Sequence, residues 1–151
     1  MAHESSRRTF LSVVAAGSAV TCLGGLSGCA AAGPTGQIAA GNISAIAEGE
    51  SVAIAGQMVA LFRDANGLWA VTTICTHLQC DMQEQGTVSP SELSCDCHAS
   101  TFTPDGDRVS GPANRALDNF EVLIDEATGD ITIDADVVVD AATRTAAPAI
   151  T

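Results

Sequence analysis

Two short stretches constrain this chain more than anything else in it: Cys75-Thr76-His77-Leu78-Gln79-Cys80 and, with seventeen residues between His77 and Cys95, Cys95-Asp96-Cys97-His98-Ala99-Ser100. Four of the six cysteines and two of the three histidines fall in them. Each stretch offers one thiolate, one imidazole and one further sulfur. A fold that uses both must present two loops from one scaffold, and the chemistry of the protein is expected there.

The segments between and around the boxes read as strands joined by turns. Ser51-Val52-Ala53-Ile54, Met58-Val59-Ala60-Leu61-Phe62 and Leu68-Trp69-Ala70-Val71-Thr72-Thr73-Ile74 are short apolar or alternating runs. Asn66-Gly67 before the third is a hairpin signal, because both residues tolerate positive φ. That strand runs directly into Cys75. Trp69, the single tryptophan, is expected in the core. Gly86 and Pro90 mark loops around Thr87-Val88 and Glu92-Leu93-Ser94. A turn through Pro104-Asp105-Gly106 follows the second box, and two late strands follow it, Phe120–Ile124 and Asp130–Ile133, parted by Gly129. The expected fold class is all-β, a small antiparallel β-sandwich whose two loops project from it. With 3% aromatic residues its core must be built of Val, Ile, Leu and Ala, and such a small core gains from disulfide or metal staples.

The organisation expected along the chain has four parts. Residues 1–28 carry Ser6-Arg7-Arg8-Thr9-Phe10-Leu11, which resembles a twin-arginine export motif, ahead of a weakly apolar run. The leader ends in Leu26-Ser27-Gly28-Cys29, which resembles a lipobox, so Cys29 is the expected lipidation site and first residue after cleavage. Residues 29–43 are rich in Ala and Gly without periodicity and read as a flexible tether. A single folded domain spans 44–136, and 137–151 is expected to be disordered or frayed. Cys22 and His3 receive no role.

Beyond the leader, four arginines and no lysine face seventeen carboxylates. That balance argues against nucleic acid and anionic lipid surfaces as partners and favours a basic or mixed-charge protein, while an acidic surface also serves solubility.

The paired boxes, Cys-X-His and Cys-X-X-His, resemble those of the Rieske protein family, in which two histidines replace two cysteines on one iron of a 2Fe-2S cluster. The resemblance implies that Cys75 and Cys95 bind one iron as thiolates, and that His77 and His98 bind the other through imidazole nitrogens. It implies that Cys80 and Cys97 form the disulfide of the respiratory type, which needs an oxidising compartment. Ser100 stands where a hydroxyl donates to a bridging sulfide, and Leu78 where an apolar residue shields the cluster. Gly111-Pro112-Ala113 resembles the proline loop that covers it. The match is uneven. Phe102 replaces a common tyrosine donor, Asp96 a common proline, Asn114 another proline, and Gln79 and Ala99 two common glycines; Phe102 and Asp96 should lower the potential within a range of about −150 to +300 mV. The fold implied is a β-sandwich base with an inserted cluster-binding subdomain.

Function follows from the cluster, which moves one electron at a time and offers no open coordination position. The first reading is an electron carrier on the outer face of the cytoplasmic membrane or in the periplasm, attached through an N-terminal lipid or uncleaved anchor. It resembles the iron-sulfur subunit of quinol–cytochrome c oxidoreductases, with a quinol, a cytochrome b or a dehydrogenase on one side and a c-type cytochrome on the other. A second is the small subunit of a molybdenum oxidoreductase of the arsenite-oxidase kind, whose partner would be the molybdopterin subunit. A third is a redox-inactive module in which the same four ligands hold zinc as a Cys2His2 set.

Overall fold

The structure is a computed structural model and describes residues 33–148. The twin arginines, Cys29 and the rest of the leader lie outside the described residues. Ten strands form two antiparallel sheets, with no α-helix among the described residues. The larger sheet has six strands: β1 (Gln37–Asn42), β10 (Asp130–Val139), β9 (Asn119–Ile124), β4 (Gly67–Thr72), β3 (Val59–Asp64) and β2 (Ser51–Ile54), in that spatial order. The smaller has four in sequence order: β5 (Gly86–Val88), β6 (Leu93–Cys95), β7 (Ser100–Phe102) and β8 (Arg108–Ser110). The all-β expectation holds.

The β3–β4 hairpin joins two cores. Successive side chains on a strand point to opposite faces, so an apolar run without polar alternation must be buried on both. Val59 and Leu61 of β3 with Leu68 and Ala70 of β4 pack on one side with Phe120, Val122, Ile131 and Ile133. Ala60, Phe62, Trp69 and Val71 pack on the other side with Cys75, Met82, Leu93, Cys95 and Phe102. The second core therefore lies directly beneath the two boxes and includes two of their cysteines. Trp69 is 8% exposed, stacks on Phe62 with ring centroids 5.3 Å apart, and donates from Nε1 to the Pro104 carbonyl at 2.9 Å. Its expected core placement is met, and it also ties the base sheet to the loop after β7.

Three readings are corrected. Residues 37–42, placed in the tether, form β1, which pairs with β10 through Gln37↔Asp134 and Ile38↔Ile133. Ile38 is the sole large apolar residue of that strand, so pairing with a distant strand, and not local pattern, makes it a strand. The tail from 137 is ordered in part: β10 continues to Val139, and Thr145 bridges to Leu68 with N–H and C=O bonds of 2.8 and 2.9 Å. Gly67 permits this, since a Cβ there would sit 2.3 Å from the Thr145 carbonyl oxygen. Finally, the hairpin turn runs through Ala65 and Asn66 with Asp64 opposite Gly67. Gly67 has positive φ and Asn66 does not; Asp64 Oδ1 accepts the N–H groups of Asn66 and Gly67 at 2.7 and 3.0 Å.

Candidate metal centre

The first box is a loop closed at its neck. Ile74 bridges Asp81, the Cys75 N–H donates to the Cys80 carbonyl at 2.9 Å, and the Met82 N–H donates to the Thr73 carbonyl at 2.9 Å. Beneath the neck the Thr73 hydroxyl donates to Asp81 Oδ1 at 2.7 Å, and Gln83 Nε2 donates to the Thr73 hydroxyl at 3.2 Å. Thr73 is fully buried, so this network satisfies a polar group that would otherwise cost stability.

The second box is the turn of the β6–β7 hairpin, with Cys95 paired across from Ser100. The sequence places it only as one of two loops projecting from the sheet. The three-residue strands on either side, Leu93-Ser94-Cys95 and Ser100-Thr101-Phe102, pair to make it a hairpin. Gly86, read as a loop marker, begins β5 and lies opposite Cys95; a Cβ there would fall 1.9 Å from the Ser94 carbonyl oxygen. Glycine is required because two backbones meet.

Cys80 and Cys97 are disulfide-bonded, joining the two loops as the resemblance implied. The sulfurs of Cys80, Cys95 and Cys97 lie within 4.8 Å of one another, so the disulfide lies beside a buried thiol. Bonded to each other, Cys80 and Cys97 are not available as thiolate ligands. Among the described residues this leaves Cys75 and Cys95 as the free thiols, both buried. Burial raises the Cys95 thiol above its ordinary pKa, and a hydrogen bond with Cys75 raises it further, while the backbone N–H groups of Cys97 and His98 pull it down. The two thiols therefore adjoin, and peptide dipoles already point at the sulfur that would carry negative charge.

The His77 and His98 rings stand 4.6 Å apart, edge to face at 82°. His98 is exposed and His77 half-buried. His77 Nδ1 is buried and has no hydrogen-bond partner. A buried imidazole nitrogen is ordinarily satisfied, so this orphan nitrogen is free to bind a metal ion. Ser100 is fully buried, and its hydroxyl oxygen accepts the Ala113 N–H at 3.1 Å, which leaves its own proton free to donate. Two thiols, two imidazoles and an unused hydroxyl proton are the donor set that a 2Fe-2S cluster with mixed ligands requires.

A third loop closes over Ser100. Gly111 has φ +85, and a Cβ on it would lie 2.4 Å from both the Ala99 carbonyl oxygen and Ser100 Cα. Pro112 is exposed and Ala113 buried. Thr76, to which sequence reading gave no role, donates from its hydroxyl to the Arg115 carbonyl at 2.7 Å and so pins the first box to this loop. Leu78 is 63% exposed, with its apolar surface in solvent beside the boxes. A cleft of about 450 Å³ runs along Cys75, Thr76, His77 and Gln79, walled by Asn114 and Arg115 and by Gly33 and Pro34.

The Rieske [2Fe-2S] domain family model matches residues 36–121. A Rieske 2Fe-2S iron-sulfur protein of Bacillus subtilis is 40% identical over 74 residues, covering 48% of this chain and 14% of that protein. The cytochrome b6-f complex iron-sulfur subunit of Chlorobaculum tepidum is 32% identical over 68 residues, covering 45% of this chain and 36% of the subunit. The matched part is therefore well under two thirds of either relative. Among solved structures, the cyanobacterial plasma membrane Rieske protein PetC3 from Synechocystis aligns with a TM-score of 0.48 and 22% identity, over 65% of this chain and 99% of that one. The match takes in both boxes, the disulfide and the loop at Gly111, and the chain belongs to the Rieske [2Fe-2S] domain family, with a 2Fe-2S cluster of that type as its cofactor.

Proposed function

We propose that Cys75 and Cys95 hold one iron and His77 and His98 the other, and that the chain carries single electrons between a quinol site or dehydrogenase and a c-type cytochrome outside the cytoplasmic membrane. The observation that carries the ligand assignment is the buried, partnerless Nδ1 of His77, two residues along the chain from the buried free thiol of Cys75. When bound, the cluster supplies one-electron chemistry, and imidazole ligation makes its histidine-bound iron the easier one to reduce. The protein's part is to exclude water from the thiol side, where Cys75 and Cys95 are each 1% exposed, and to leave His98 accessible for a partner.

An oxidising location is supported by the Cys80–Cys97 disulfide, which the cytosol would reduce. The twin-arginine and lipobox resemblances add an export route and an anchor at Cys29. The relative in Chlorobaculum is a subunit of a cytochrome b6-f complex, which favours the quinol-to-cytochrome reading. The cleft beside His77 has the volume of a small-molecule site and could seat a quinol ring.

Potentiometric EPR on protein purified with its native membrane fraction tests the proposal. The expected result is a reduced 2Fe-2S signal with nitrogen hyperfine coupling, lost on replacing His77 or His98, and a co-purifying cytochrome. A co-purifying molybdopterin subunit would transfer the chain to the arsenite-oxidase kind of complex. Stoichiometric zinc without iron would refute electron transfer altogether.

A further inference from the structure

The tail beyond β10 carries an arginine that reaches the cluster-binding half of the molecule. Thr145 fixes the tail to the base sheet by its bonds with Leu68 and by a hydroxyl bond to the Val122 carbonyl at 2.6 Å. Arg144 Nη1 also donates within the tail, to the Ala141 and Thr143 carbonyls at 2.9 and 3.1 Å. Its guanidinium lies over the Trp69 ring, 3.8 Å from the centroid, pairs through Nη2 with Asp105, and places Nε 3.7 Å from Asp64 Oδ2. Its side chain is 17% exposed, while those of Asp64 and Asp105 are 36% and 42% exposed.

Asp105 belongs to the loop that leaves β7, the strand of Ser100 and Phe102. That loop is gripped on three other sides. Trp69 Nε1 donates to Pro104, Asn119 Nδ2 donates to the Asp105 carbonyl at 2.9 Å, and the Leu117 N–H donates to the Gly106 carbonyl at 2.8 Å. Leu117 ends the segment that begins at Ala113, whose N–H rests on the Ser100 hydroxyl. A continuous set of contacts thus runs from the tail to the hydroxyl beneath the cluster site.

Resting on the ligand assignment above, we infer that Arg144 is a positioning residue for the centre: it clamps the β7–β8 loop to Trp69 and so sets the place of the Ser100 hydroxyl. Ser100 is the group that acts on the cluster, and Arg144 acts through it.

The test uses the full-length holoprotein with Arg144→Gln, Arg144→Lys and Ser100→Ala, alone and combined. Arg144→Gln is expected to lower the reduction potential and to speed cluster loss to a chelator about tenfold, the scale of one such contact. Arg144→Lys, which keeps the charge for Asp105, restores part of both. On the Ser100→Ala background Arg144→Gln lowers the potential no further. Hydrogen exchange gives a readout that needs no cluster: the amides of Ala113 and Gly106 lose protection at least tenfold, while those in β2 and β3 keep theirs. A protein without iron but with this exchange pattern would refute the electron-transfer reading and leave the clamp standing. A lowered melting temperature with unchanged potential, or a potential shift that persists in full without Ser100, would overturn the clamp.

Discussion

Two residues of the ligand boxes hold a backbone conformation that suits glycine. Gln79 has φ +61 and Ala99 has φ +58. For a residue with a Cβ the left-handed region costs about 1–2 kcal/mol, because the side chain crowds the next carbonyl. Both side chains are exposed, so trimming them removes little packing. Glycine relieves the crowding but returns about 0.4–1 kcal/mol through the greater freedom of the unfolded chain. The difference leaves a net gain of about 0.5–1 kcal/mol at each position. For a domain of this size 1 kcal/mol corresponds to roughly 4 °C, so Gln79→Gly with Ala99→Gly should raise the melting temperature by about 4–8 °C.

The assay is calorimetric unfolding with the disulfide oxidised, before and after removal of the cluster. Gln79→Ala is the control, since it keeps the Cβ and should gain nothing. Glycine variants no more stable than the parent, with the alanine control unchanged, would refute the reasoning. That result would mean that the loops relax away from positive φ in solution.

Other consequences are as concrete. The disulfide closes a loop with a sequence separation of 17, so Cys80→Ser should cost about 3 kcal/mol in urea unfolding, and an unchanged midpoint would show the loops to be held by other contacts. Ser100→Ala should lower the reduction potential and Phe102→Tyr raise it, measured by redox titration; shifts of the same sign would contradict a donor role for the hydroxyls. Burial works to raise Asp64, but the Asn66 and Gly67 N–H bonds and Arg144 outweigh it and hold its carboxyl below the ordinary value of 3.8. Its contribution is thus complete above that pH and is lost as pH falls through the lower folded value, so acid unfolding of Asp64→Asn should depend less steeply on pH. Association with a basic cytochrome should slow as salt rises, and stopped-flow rates independent of ionic strength would exclude electrostatic steering.

What the sequence revealed depended on how local the information was. The boxes were legible because each packs its ligands within six residues, and the β3–β4 hairpin because its turn and both apolar runs are contiguous. β1 and the tail are hidden because they are held by partners far away in the chain, and β7 and β8 because each is only three residues long. Ile38 meets Ile133, Thr101 meets Ser110 across the loop that Trp69 grips, and Thr145 meets Leu68. No periodicity in a strand of three residues distinguishes it from a loop. The supports of the centre were hidden for the same reason. Thr76 and Gly86 are ordinary residues whose meaning is a contact, with the Arg115 carbonyl in one case and the Ser94 backbone in the other.

The same contacts explain how an acidic protein uses its few cations. Arg63 donates from Nη1 to the carbonyls of Ile43 and Ile46, holding the 3-10 turn after β1, and Arg108 donates to the Gly111 carbonyl in the loop over Ser100. Arg115 pairs with Asp118 at 2.7 Å, and Arg144 joins Asp105 and Asp64. Arg63 and Arg144 thus tie one segment to another, while Arg108 and Arg115 brace residues three positions along, and planar multi-donor guanidinium suits such uses better than lysine would. Asp64, Asp105 and Asp118 are the carboxylates these ties engage. Other carboxylates serve as acceptors: Asp81 takes the Thr73 hydroxyl beneath the neck of the first box, and Asp130 takes the Asn42 amide at the end of β1.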